Sequence, residues 1–321
     1  MNIQRWLARR EQDWKRLDQL LTLTQKKGVK SLQSGQICEL ASLYRSVSGD
    51  LARAQTQKAG DSIVRDLQQL TSRGYSLIYQ GQRKQEWLAV KKFFLWGLPQ
   101  ALRENWLYIA VATLITFLSG SIAWWYSWHD PAFMELIVPQ DLIHKVRDEH
   151  QLWMGSILGS EPIASSSIMQ NNIRVAFNAI AGGIIGGIGT VIVLVYNGLL
   201  LGAIAALVGQ NGLAFPFWAF VFPHGALELP AIFIAGGAGL LIGKALLLPG
   251  IYRRVDAIKY YGNRAAKLVF GIVPLLIVAG IIEGFISPNP AIPDPLKYLL
   301  GTLIFTGLCL YINNKSPVSN S

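Results

Sequence analysis

Two cysteines in 321 residues, Cys38 and Cys309, leave no basis for a disulfide framework or a thiolate metal cluster, because one sits in a polar region and the other in the last apolar run. Histidine is scarce as well, with four in the chain, and no HExxH, CxxC or Ser/His/Asp order accompanies them. The glycine-rich GGIIGGIG superficially resembles a phosphate-binding loop, yet no strand precedes it and no Lys-Ser/Thr follows, so its glycines are assigned to helix packing. Charge is the third deficit: Asp, Glu, Lys and Arg make up 15% of the chain against 51% hydrophobic residues, and the mean hydropathy is +0.33. That balance excludes an ordinary soluble domain. The opening MNIQRWLARREQDWKRL lacks the short apolar core and small-residue cleavage site of a secretory signal, so the first membrane span is expected to direct its own insertion.

Long apolar runs fill the space those deficits leave, and the few charges are arranged around them. Residues 1–105 hold 18 Lys/Arg and 9 Asp/Glu, residues 106–172 hold 2 and 6, and residues 173–321 hold 9 and 4, for block charges of +9, −4 and +5. Positive charge flanking apolar spans is the topology signal of a cytoplasmic segment and needs no nucleic acid to explain it. Residues 1–83 are expected to form a small helical cytoplasmic domain with breaks at Lys27-Gly28 and Gly60-Asp61. In its second helix Ile37, Leu40, Ala41, Leu43, Tyr44, Val47, Leu51 and Ala54 share one face, with Arg45, Asp50 and Arg53 outside it. Residues 84–105 read as an interfacial elbow helix in which Trp87, Leu88, Phe94, Leu95 and Trp96 stand beside Lys84, Lys91 and Lys92 before Pro99 redirects the chain.

A transmembrane domain is expected over 106–315, followed by a tail, 316–321. Its first span, Trp106–Tyr126, ends in an aromatic belt of Trp124, Trp125, Tyr126 and Trp128. An acidic outer loop, 129–171, contains an amphipathic helix around Pro139 to Leu158 and serves as a cap. The basic segment IYRRVDAIKYYGNRAAK returns the chain to the inside, so an odd number of crossings must separate it from the outer loop. Three are expected, near 173–196, 198–210 and 223–248, with a tight turn at Asn197-Gly198. Spans at 268–286 and 296–312 bring the total to about six and leave both termini in the cytoplasm. The fold class is therefore all-α and polytopic, in a bacterial inner or other energy-coupled membrane.

Within those spans a few polar residues fall at one depth. Arg174 and Asn178 are four apart, as are His224 and Glu228 in PHGALELPA, and Glu283 lies near the end of its own span. Ionisable groups in hydrocarbon are costly unless paired or hydrated, so these five are expected to gather beneath the outer surface. Pro223 suits a first helical turn, and Pro230 would free the carbonyl of Ala226. Three roles are open to the cluster: a structural clamp between helices, a proton, ion or substrate pathway, or a metal site on His224, Glu228 and Glu283. Lys244 is expected to snorkel towards the headgroups.

The same residues carry a family likeness. NNIRVAFNAIAGG, GIGT, YNGLLLGA, PHGALELPAIFIAGGAGLLIGKALLLPG with IYRR after it, and AGIIEGFISP resemble, in that order, the stage II sporulation protein M family, while LYRSVSGDLARAQ is similar to its longer bacterial members. The resemblance implies a polytopic membrane protein. In endospore formers the namesake localises a peptidoglycan lytic transglycosylase and an amidase during engulfment. This chain departs from the short sporulation type through its added N-terminal domain. On this basis the expected function is a non-enzymatic membrane scaffold in envelope remodelling, whose partners are membrane lipids, other membrane or envelope proteins and further copies of itself, with no nucleic acid and no cofactor. The alternatives are a transporter or permease-like component, energised by a separate ATPase if at all, and an intramembrane metal hydrolase.

Overall fold

The computed structural model describes residues 3–28, 31–153 and 161–315. The tail 316–321 and residues 154–158 of the expected outer-loop helix lie outside that range. Among the described residues every regular element is helical, and the chain divides into two compact units at Lys91/Lys92.

The first unit packs α1 (Ile3–Lys27), α2 (Ser34–Thr56) and most of α3 (Asp61–Lys92) around Leu17, Leu20, Leu21, Leu40, Val47, Ala54 and Leu67. Both expected breaks occur, at Gly28 (φ +79°) and Gly60 (φ +109°), where a positive φ favours glycine. The apolar face of α2 is narrower than its sequence pattern: Ile37 is exposed, whereas Asp50, expected outside, is buried. Asp50 is held by Arg10 Nε at 2.7 Å and by Trp14 Nε1 at 3.0 Å, which a periodicity of apolar residues cannot anticipate. Since both donors point at this carboxylate, Asp50→Asn should cost the unit about 2 kcal/mol in chemical denaturation, the range for charge-assisted hydrogen bonds. At the surface, Arg16 grips Glu39 through two hydrogen bonds of 2.8 and 2.9 Å, and this contact holds the Glu39 carboxyl below its ordinary range.

The second unit begins with a π-helical turn, Phe93–Gly97, that runs into α4 (Leu98–Glu104). Helical structure continues through Pro99, so the chain is redirected at Asn105 and not at the proline. A proline removes the N–H that would bond the carbonyl four residues back. Here that carbonyl, Leu95, accepts from Asn314 Nδ2 at 2.9 Å, while Phe94 accepts from the Tyr311 hydroxyl.

Then come α5 (Trp106–His129), α6 (Pro131–Ile137), α7 (Gln140–Arg147), α8 (Glu161–Ala181), α9 (Ile188–Gln210), α10 (Ala214–Leu247), α11 (Arg254–Ile281) and α12 (Asp294–Ile312). Among the described residues five helices are long and apolar enough to cross a membrane: α5, α9, α10, α11 with the π-helical turn that extends it to Ile286, and α12. The sixth expected crossing corresponds to α8, whose first half, EPIASSSIMQ, is too polar to meet the same measure. It nevertheless packs among the others, with Ala176 and Ala179 in the core beside Ala235, Ala238 and Leu276.

The reversal between α8 and α9 falls eleven residues before the expected Asn197-Gly198. Helix α9 runs unbroken through that pair, and Asn197 Nδ2 bonds back to the Val193 carbonyl at 2.8 Å. The turn is made instead by Gly186 (φ +70°) and Gly187 (φ +85°), since two successive left-handed residues end a helix. Helices α5 and α9 are parallel: Gln210 Nε2 donates to the Trp128 carbonyl at 2.9 Å at one end, and Ala112 packs with Leu194 further back. In the acidic segment expected to form the outer loop, α6 and α7 bury Met134, Val138, Ile143 and Val146 against Leu207, Val208, Phe217 and Phe220, capping the ends of α9 and α10. Helix α10 is the most buried of the five spans and forms the axis of the bundle.

Lys244, expected to reach towards the headgroups, donates from Nζ to the Tyr108 hydroxyl at 2.6 Å and lies 5.1 Å from the Tyr261 ring centroid, so its ammonium also has aromatic partners.

Candidate functional site

Helix α10 starts at Ala214, nine residues before Pro223, so His224 and Glu228 lie inside the helix and not at its entrance. Pro223 therefore serves no first turn. Together with Pro230 it deprives the carbonyls of Ala219 and Ala226 of their helical partners. Successive α-helical residues rotate by about 100°, so a four-residue step directs His224 and Glu228 to one side of α10. That side meets α11 where its ladder widens into the π-helical turn Ile282–Ile286, which carries Glu283; such single turns inside α-helices recur at functional sites.

The three side chains converge. One ligand atom from each of His224, Glu228 and Glu283 lies within 4.8 Å of the others, with His224 Nε2 3.7 Å from Glu283 Oε1. His224 is 4% exposed and the Glu283 side chain 14%, while Glu228 is partly buried. The imidazole is fixed from behind: Nδ1 lies 3.0 Å from the hydroxyl of the fully buried Ser287, and Phe220 stands edge-on at 5.6 Å. From α8, Asn172 Nδ2 reaches the other oxygen of Glu283 at 3.5 Å. Among the described residues no lysine or arginine pairs with either carboxylate, and Glu228 takes no hydrogen bond.

Arg174 and Asn178 are not part of this centre. Both are exposed. The buried stripe of α8 is Asn172, Ala176 and Ala179, which places Arg174 and Asn178 roughly 200° and 240° around the helix from Asn172. The expectation that they share a face holds, but it is the outer face. The residues that do join the centre, Asn172 and Ser287, carry a readable signal in Ser287 alone, which follows Glu283 by the four-residue step that links His224 to Glu228. Nothing in NNIR distinguishes Asn172 from its neighbours before the buried face of α8 is known.

The sequence profile described as Stage II sporulation protein M matches residues 112–288, more than half of the chain and the whole of this centre. The chain belongs to that family. A second profile, described as a domain of unknown function (DUF8413), matches residues 4–80, within the first unit. Two uncharacterized proteins of Methanocaldococcus jannaschii are similar to part of the chain. MJ0793 is 28% identical over 127 residues, covering 39% of this chain and 71% of that protein. MJ0706 is 29% identical over 104 residues, covering 32% and 47% respectively. No solved structure matches.

This member of the stage II sporulation protein M family thus brings two carboxylates and an imidazole together in the spanning bundle, with no basic counter-charge beside them among the described residues. Such a group can exchange protons among its members or share an added cation. Leu227 and Ile282, next in sequence to Glu228 and Glu283, pack with Ala279 in a buried apolar cluster between α10 and α11.

Proposed function

We propose that this member of the stage II sporulation protein M family is an ion-handling membrane component, in which a cation, in the simplest case a proton, binds at His224, Glu228 and Glu283. The reading is carried by one observation, the convergence of these three side chains inside the bundle with no lysine or arginine beside them among the described residues. At an effective dielectric constant of about 20, two carboxylate charges as close as this repel by about 3 to 4 kcal/mol. Both are ionised together only when a cation sits among them, so occupancy by that cation and the charge of the bundle are one equilibrium. The helix interruptions at Pro223, Pro230 and the π-helical turn lie where such a site needs unpaired carbonyls and freedom to adjust.

The test is flux. The full chain is reconstituted in liposomes with a potassium diffusion potential and an entrapped pH dye. The wild type should acidify the lumen, and Glu228→Gln, which keeps shape and removes the charge, should be at least about tenfold slower. Equal rates would remove the proposal.

A second reading draws on the compactness of the first unit, which has a core of its own. In that reading the unit recruits membrane or envelope partners, copies of the chain assemble, and the protein is a non-enzymatic scaffold in a bacterial inner membrane with both termini in the cytoplasm. It calls for no change in partner binding when Glu228 is replaced, and it is the reading that equal flux would leave standing.

A further inference from the structure

The proposal of an ion-handling centre leaves the cation unspecified, and the donor set narrows it. We propose that His224, Glu228 and Glu283 form a binding site for a divalent transition-metal ion of the zinc type, with one coordination position open. This deepens the reading above and rests on the centre holding a cation.

Charge is the first argument. Two carboxylates and a neutral imidazole sum to −2, so a divalent ion makes the centre neutral, the least costly state away from water, whereas a monovalent ion leaves a net charge buried. The donor atoms are the second. Magnesium and calcium favour all-oxygen shells, while an imidazole nitrogen beside two carboxylate oxygens suits zinc, manganese, iron or cobalt. Geometry is the third. Bonds of about 2.0 to 2.2 Å place tetrahedral ligands roughly 3.4 Å apart. The 3.7 Å between His224 Nε2 and Glu283 Oε1 is nearly that distance, and the 4.8 Å limit on the set closes with small rotations of the two glutamates.

An independent observation separates this centre from a chance meeting of acids. The buried imidazole is oriented by Ser287 through Nδ1, which aims Nε2 into the space between the carboxylates, and Glu283 is held through its second oxygen by Asn172. Ligating histidines are characteristically fixed through the other ring nitrogen, and ligating carboxylates are themselves hydrogen-bonded. Ser287 and Asn172 occupy those two supporting places. Three protein ligands, not four, mark an exchangeable site with room for water or an entering group, in contrast to a closed structural one.

The experiment uses the full chain in detergent, stripped with a chelator and titrated with Co2+ as the probe. The wild type should take up one Co2+ per chain with the visible absorption of a four-coordinate site, and Zn2+ should displace it while excess Mg2+ does not. Glu228→Gln and His224→Gln should abolish uptake. Ser287→Ala and Asn172→Ala should each weaken it by about 10- to 100-fold while leaving the stoichiometry unchanged. A wild type that binds no more Co2+ than Glu228→Gln, or one from which Mg2+ displaces the probe, would overturn the assignment. Should His224→Gln fail to fold, saturable uptake by the wild type and a Zn2+-dependent rise in its melting temperature still decide the matter. Proton flux by the stripped protein without metal uptake would remove the metal and keep the ion-handling reading. Metal uptake without flux would keep the cation site and its metal and remove transport through it.

Discussion

Replacing Gly202 by leucine should cost the second unit more than about 3 kcal/mol and prevent recovery of a monodisperse protein from membranes. The cause lies between α5 and α9. A Cβ at Gly202 would meet the Gly120 carbonyl group, with the carbonyl carbon at 2.8 Å and Cα at 2.9 Å, and a Cβ at Gly198 would press on the Thr116 carbonyl and the Ser119 hydroxyl. Those neighbours are mostly backbone, which cannot rotate aside. Overpacking of a soluble core costs about 1 to 3 kcal/mol when side chains can adjust, and a backbone contact removes that relief. In lipid the loss is felt fully, since helices associate there through close packing and polar contacts and not through exclusion of water. Gly307→Leu is the matched control: it lies on the exposed side of α12 with nothing within 4 Å of an added Cβ, and it should be close to neutral. Unfolding in mixed micelles, followed by tryptophan emission, measures both variants; a Gly202→Leu protein as stable as Gly307→Leu would show that the crossing does not hold the bundle together.

That crossing also shows how far the sequence could be read. Gly198 and Gly202 are spaced for close helix approach, but their partner Gly120 stands alone in α5, so no pattern announces it. Apolar length and charge placement are properties of a segment in isolation, which is why the spanning helices and the acidic loop were legible. Turns were less so. Asn197-Gly198 has the composition of a tight turn, yet inside a bundle the helical hydrogen bonds win, and the reversal goes to Gly186-Gly187, where two left-handed residues are needed. The site divides along the same line. His224, Glu228 and Glu283 could be singled out because charge in hydrocarbon is conspicuous anywhere. Arg174 and Asn178 could not be assigned a side of α8, because that helix is too mixed in composition for one apolar face to stand out before its packing is known.

The sharpest division between a structural clamp and an ion centre comes from Glu228→Met, which should leave the melting temperature of the chain unchanged or raise it, while abolishing cation-dependent behaviour. Asp50 shows what a structural carboxylate looks like in this protein: it is buried against a guanidinium and an indole N–H that both point at it. Removing such a group strands its partners. Among the described residues Glu228 has no hydrogen-bonded partner to strand, and its polar neighbours are a second carboxylate and an imidazole that already has a serine. Methionine in its place relieves repulsion, keeps roughly the volume and adapts to the apolar Leu227, Ala279 and Ile282 nearby. Exchanging buried ionic groups for well-packed apolar ones is often neutral or stabilising by about 1 to 4 kcal/mol, whereas breaking a true buried pair costs about 3 to 5 kcal/mol. The two roles therefore differ in sign as well as size. Thermal unfolding of metal-stripped wild type and Glu228→Met in the same detergent gives that sign directly, and a fall of the clamp magnitude would mean that the carboxylate is there to hold helices and not a cation.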